Sequence, residues 1–189
     1  MKKLLLAATT LLLTIGLYSQ TAKKSSPIKF RSINGVNYLA GSTDMQLGVS
    51  TVNGITWKQW FAGLGLSFDP YGHKGYAVYG SIQKYLGKGI WQPFINVDAG
   101  IYMPERTPDY PDHSMNPDMP YYTLNNTFYG GASFGVSKTI AGNNKLFVKL
   151  GVAYKRFNVS QTGGFLPYPS DIGYEYVYTP FSFSIGFML

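Results

Sequence analysis

The stretch Thr179-Pro-Phe-Ser-Phe-Ser-Ile-Gly-Phe-Met-Leu189 reads as a β-strand with two unlike faces. Side chains alternate across a strand, so Phe181, Phe183, Ile185, Phe187 and Leu189 fall on one side and Ser182, Ser184, Gly186 and Met188 on the other. A face this aromatic must be buried, and the strand's edges must be paired or covered. A closed barrel set in lipid meets both demands. The expectation is an all-β fold: a closed, antiparallel, up-and-down transmembrane barrel.

Working back from this strand, period-two runs bounded by Gly, Pro, Asn and Asp give about eight strand candidates in all. They lie near Lys29 to Ala40, Asp44 to Asn53, Trp60 to Asp69, Tyr76 to Tyr85, Trp91 to Met103, Thr123 to Lys138, Lys145 to Phe157 and Tyr174 to Leu189. In the first, Ile33, Val36, Tyr38 and Leu39 do not keep one phase, which leaves open whether it pairs to close the barrel. The others have assignable faces. Trp91, Pro93, Ile95, Val97, Ala99 and Ile101 form one outward set, with Gln92, Asn96, Asp98 and Gly100 opposite. Leu146, Val148, Leu150, Val152 and Tyr154 form another, with Lys145, Lys149, Gly151 and Lys155 opposite. A soluble barrel carrying a small apolar ligand would show the same alternation with inside and outside exchanged.

Two features favour the membrane orientation. Connections near Gly54 to Gln59, Leu86 to Ile90 and Thr139 to Asn144 are short and carry turn residues, Asn53-Gly54 among them. Asp69 to Gly75, Pro104 to Tyr122 and Asn158 to Gly173 form longer loops at the other rim, the asymmetry of outer-membrane barrels. The aromatic residues also sort. Trp57, Trp60 and Trp91 flank the short turns, whereas Tyr71, Tyr76, Tyr102, Tyr121, Tyr122, Tyr174, Tyr176 and Tyr178 fall near the loop rim, as two interfacial belts would require.

The other end of the chain agrees. Lys2 and Lys3 precede an apolar run, Leu4 to Leu17, followed by Ser19, Gln20, Thr21 and Ala22. This is the layout of a cleaved secretory signal peptide over residues 1–19, leaving 20–189 as the barrel domain. The run is too short for a membrane helix, which needs about 20 residues. With no cysteine in the chain, a lipid-anchored lipoprotein, a disulfide staple and thiolate chemistry are excluded. The net charge of +7 includes the two leader lysines and is spread thinly, without the basic stripe of a nucleic-acid binder.

Met45-Gln-Leu-Gly-Val-Ser-Thr-Val-Asn-Gly54, Trp60-Phe-Ala-Gly-Leu-Gly-Leu-Ser-Phe-Asp69 and Ile90-Trp-Gln-Pro-Phe-Ile-Asn-Val-Asp-Ala-Gly100 together resemble the small outer-membrane β-barrel proteins of Bacteroidota-type bacteria. The resemblance implies the fold and an outer-membrane location. It carries no catalytic or binding residue across.

A barrel of about eight strands is filled by its own side chains, and open porins need about 16 to 18. Phe94, Tyr102, Lys149, Lys155, Asp98 and Tyr129 are the inward candidates, with Asp98 and Glu175 as partners for the lysines. Function then falls to the loops, where Pro104 to Tyr122 offers Asp109, Tyr110, Asp112, His113, Tyr121 and Tyr122 as a surface-recognition loop. Asp112-His113-Ser114 is the one sequence-local set suited to lipid A-modifying chemistry, and no Gly-x-Ser-x-Gly elbow accompanies it. The expected role is non-enzymatic, structural or surface-binding, in a monomer contacting outer-membrane lipid and lipopolysaccharide, with no cofactor, metal or nucleic acid.

Overall fold

The computed structural model describes residues 28–42, 45–105, 121–125, 127–162 and 172–189, so the leader and most of the recognition loop lie outside the described residues. The described residues form ten strands: β1 (Ile28–Ala40), β2 (Met45–Trp57), β3 (Trp60–Asp69), β4 (Gly75–Tyr85), β5 (Trp91–Pro104), β6 (Tyr121–Asn125), β7 (Thr127–Ala141), β8 (Asn144–Thr162), β9 (Ile172–Tyr178) and β10 (Phe181–Met188). All pairings are antiparallel. β10 pairs with β1 through Val36↔Ile185 and, on its other edge, with β8 through Val148↔Ile185, which closes the sheet into a barrel.

Ten segments fill eight barrel positions. β6 and β7 both pair with β8, at Asn125↔Asn158 and Tyr129↔Lys155, and β9 and β10 both pair with its other edge, at Lys155↔Tyr178 and Val152↔Phe181. The break between β9 and β10 is Thr179-Pro180. Proline has no N–H for the ladder, and here its carbonyl still accepts from the Ala153 amide at 3.0 Å.

The first strand pairs with β2 along its whole length and seals the barrel. Its phase is obscured because both of its faces carry apolar residues. Ile33 and Leu39 point inward with Arg31, while Phe30, Val36 and Tyr38 point outward. One turn falls elsewhere than the sequence predicts. Asn53-Gly54 is not a turn; β2 runs on to Trp57, and the reversal is Lys58-Gln59, with Lys58 at φ 56°. Gly54 is required for a different reason, since a Cβ there would strike the Ala62 carbonyl and the Gly63 Cα across the ladder.

The outer surface is an apolar girdle. Leu47, Leu64, Ile82, Val97, Phe134, Leu150, Phe183 and Ile185 are all exposed, and they come from all eight barrel positions except β1, which adds Val36. On β5 the outward set climbs ten residues from Trp91 to Ile101, which at ~3.3 Å per residue and ~40° tilt spans about 25 Å, the height of a barrel's lipid band. One polar island interrupts the girdle. Ser32, Asn34, Thr51 and Asn53 share the outward face of β1 and β2 and bond among themselves, Thr51 Oγ1 donating to Asn34 Oδ1 at 2.8 Å and Asn34 Nδ2 to Ser32 Oγ at 3.1 Å.

Candidate functional site

The barrel interior holds the polar residues that the girdle lacks, arranged as two plugs around a small cavity. At the loop rim, β8 carries Lys155 inward with no side-chain exposure. Its Nζ lies 2.9 Å from Asp69 Oδ1 at the end of β3 and donates to the carbonyls of Tyr71 and His73. Tyr102 on β5 donates its hydroxyl to the His73 carbonyl, and its ring lies 4.7 Å from the ammonium. Phe157 stacks on Tyr178 and Tyr176 at 5.9 and 5.2 Å and covers the assembly. A buried ammonium is tolerable only when its donors are satisfied, and here one carboxylate, backbone carbonyls and ring faces satisfy them.

Below this plug, Asp98, Lys149, Tyr79, Tyr129 and Ser133 surround a cavity of about 40 Å³, too small for a solute larger than a few waters. A second, aromatic plug follows. Phe94 meets Tyr85 and Phe147 edge to face at 6.1 and 6.4 Å, with Phe61, Val52 and Met188 packed in the same buried cluster. At the turn rim the interior opens into a vestibule of about 770 Å³, whose lining includes Lys29, Arg31, Lys58, Lys88 and Lys145.

Several residues sit elsewhere than the sequence suggests. Tyr71 and Tyr102 are not in an outer belt; both are buried in the loop-rim plug, because parity turns Tyr102 inward and Asp69 anchors the Tyr71 amide at 2.9 Å. Tyr178 packs edge-on against Tyr71, so of the eight tyrosines only Tyr76, Tyr174 and Tyr176 are exposed among those whose side chains are described. Glu175 does not enter the lumen; it is exposed and pairs with Arg156 at 3.0 Å on the outside, leaving Asp69 as the partner of Lys155.

Trp57, Trp60 and Trp91 lie exposed on the outer surface beside the short turns, each under a lysine ammonium: Lys58 at 4.4 Å, Lys84 at 4.9 Å and Lys138 at 5.0 Å from the ring centres. Of the recognition loop, Asp109, Tyr110, Asp112 and His113 lie outside the described residues, while Tyr121 and Tyr122 form the start of β6, paired with Thr162 and Gln161. His73 points its Nε2 at the Glu105 carbonyl, 3.0 Å away, and packs on Phe157.

No family model matches the chain, and no curated protein matches it. The fold is similar to that of the outer membrane protein AlkL, solved by solid-state NMR in DMPC lipid bilayers, with a TM-score of 0.47 and 12% sequence identity over 84% of this chain and 88% of that one.

The cationic mouth at the turn rim is the feature that sequence reading missed. Arg31 and Lys145 come from strands far apart in sequence, and Lys58 and Lys88 from two different turns, so no run of basic residues marks it. The available signal was parity. Lys145 falls on the inward set of its strand, and two of the three short turns carry a lysine.

Proposed function

We propose that this protein is an integral outer-membrane barrel of a Gram-negative bacterium, of the small kind found in Bacteroidota-type bacteria. It acts as a non-enzymatic structural or surface-binding protein. The observation that carries the reading is the inversion of a soluble protein's polarity: apolar side chains face out around the whole barrel, and Asp69, Asp98, Lys149 and Lys155 face in. Water outside would leave this girdle unburied, whereas lipid solvates it. The ring β1-β2-β3-β4-β5-β7-β8-β10 closes on itself, as hydrocarbon requires. The turn rim then faces the periplasm and the loop rim the exterior. The tryptophan–lysine pairs sit at headgroup level, with rings in the interface and ammoniums at phosphate.

Two plugs and a water-sized cavity oppose diffusion through the lumen and leave the external loops, including Asp109 to Tyr122, as the recognition surface. The filled, charged interior likewise opposes a soluble barrel carrying an apolar ligand. Cell fractionation with conductance measurement tests the reading. Extraction by detergent alone, heat-modifiable migration and no conductance above background in planar bilayers are expected. Release of the folded protein by osmotic shock would refute the membrane assignment, and stepwise conductance would refute the closed lumen.

A further inference from the structure

The geometry points to an anion-binding site in the vestibule at the turn rim, built for a small solute or headgroup that carries two or more phosphate or carboxylate charges. Lys29, Arg31, Lys58, Lys88 and Lys145 all line this space of about 770 Å³, and no aspartate or glutamate does. The volume is that of an ordinary small-molecule site. It is also a blind cup, because Tyr85, Phe94, Phe147 and Met188 close its inner end. An apolar floor keeps the local dielectric low, which strengthens attraction between the cations and an entering anion.

Arg31 is the decisive residue. It is 6% exposed, yet among the described residues its guanidinium meets only neutral groups, the Met188 sulfur at 3.8 Å and the Tyr85 hydroxyl, and its Nε has no hydrogen-bond partner. A thioether is a weak acceptor, and a guanidinium has five N–H groups to place. Met188 already accepts from the Tyr85 hydroxyl at 3.3 Å. Lys145 is in a similar position, donating to the neutral Gln92 side chain and lying 4.6 Å from the Tyr85 ring.

Among the described residues no ion pair reaches any of the five cations. Buried cations of this kind are held by counter-charges. The counter-charge therefore comes from a bound anion, and Arg31 is placed to fork two of its oxygens at the bottom of the cup.

The test uses the full-length chain refolded in zwitterionic detergent and titrated calorimetrically with inorganic pyrophosphate. Saturable one-to-one binding is expected, weakened by about tenfold or more in Arg31→Gln, the loss typical of a charged hydrogen-bond donor. Lys58→Gln combined with Lys88→Gln, at the solvent-facing rim, is expected to weaken it as well, and this pair keeps the test independent of whether the Arg31 variant folds. Lys84→Gln and Lys138→Gln remove the same charge from the outer surface over Trp60 and Trp91 and are expected to leave affinity unchanged.

Absence of saturable binding, or equal losses in the vestibule and outer-surface variants, would overturn the assignment. A second arm identifies the source of the anion. In nanodiscs containing cardiolipin, whose headgroup carries two phosphates, pyrophosphate affinity below that in nanodiscs of equal surface charge made with phosphatidylglycerol supports a lipid headgroup as the occupant, and equal affinity supports a free solute. The assignment does not depend on the proposed membrane role, because the detergent titration reads the vestibule alone.

Discussion

Val97→Arg is the sharpest probe of what touches the girdle. Val97 is 58% exposed on β5 and lies between Ile82 of β4 and Ala132 of β7. It stands six residues above Trp91, which places it about 15 Å above the tryptophan level, near the middle of a ~25 Å lipid band. An arginine there is expected to lower the unfolding free energy by about 2–4 kcal/mol, and one near the interface by at most about 1 kcal/mol. Ile140, exposed beside the Gly142 turn, supplies the interfacial control as Ile140→Arg. The larger loss corresponds to a shift of about 30-fold or more in the folding equilibrium. Reversible urea unfolding from phosphatidylcholine vesicles, followed by emission of Trp57, Trp60 and Trp91, measures it. If Val97→Arg and Ile140→Arg differ by less than about 0.5 kcal/mol, as two exposed positions of a water-soluble protein would, the girdle does not face lipid.

The same unfolding assay tests the loop-rim plug. Lys155→Met leaves Asp69 buried without its cation and is expected to destabilise by about 3–5 kcal/mol, while adding Asp69→Leu recovers much of the loss; a double variant that loses the sum of the two single losses would show that the pair is not coupled. Gly54→Ala is expected to cost about 1–3 kcal/mol because its Cβ meets the β3 backbone, whereas Gly80→Ala, whose nearest neighbour is the Ala99 carbonyl oxygen at 3.8 Å, is expected to be tolerated. Tryptophan emission is expected to be quenched more by lipids brominated close to the headgroup than by lipids brominated deep in the acyl chain; the reverse order would remove Trp57, Trp60 and Trp91 from the interface.

What the sequence makes legible is parity. Trp91 to Ile101, Leu146 to Val152 and Phe181 to Leu189 each keep one apolar phase, as the proposed lipid contact requires, so the outer face of each strand is written in residue type. The inner face is written in volume and pairing, which one strand does not reveal. Lys155 reads correctly as inward, but its partner is Asp69, more than eighty residues away, because barrel closure and loop folding decide who meets it. Glu175 fails as a partner for a related reason. β9 pairs with β8 through Asn158↔Glu175, and that position points out. Gly54 misleads because the same residue serves turns and close backbone contacts, and only the register with Ala62 and Gly63 separates the two uses.

The loop after β3 shows how the interior dictates the rim. A lysine placed inward at the top of β8 has three hydrogens to donate and no water column to receive them. Asp69 takes one, and the main chain just beyond it supplies the Tyr71 and His73 carbonyls, which face the lumen. Gly72, at φ 66°, lets the chain make that bend, and a side chain there would strike the Tyr178 ring. The segment from Pro70 to Lys74 is therefore folded inward as the coordination shell of an ammonium, with Tyr71, Tyr102 and Tyr178 packed around it. Replacing Lys155 removes the reason for that shape. The expected consequence is uneven: in Lys155→Met, amide exchange at Tyr71 and His73 accelerates by more than the global loss of stability accounts for, while an equal acceleration across the whole barrel would mean that the lysine supports the wall rather than this loop.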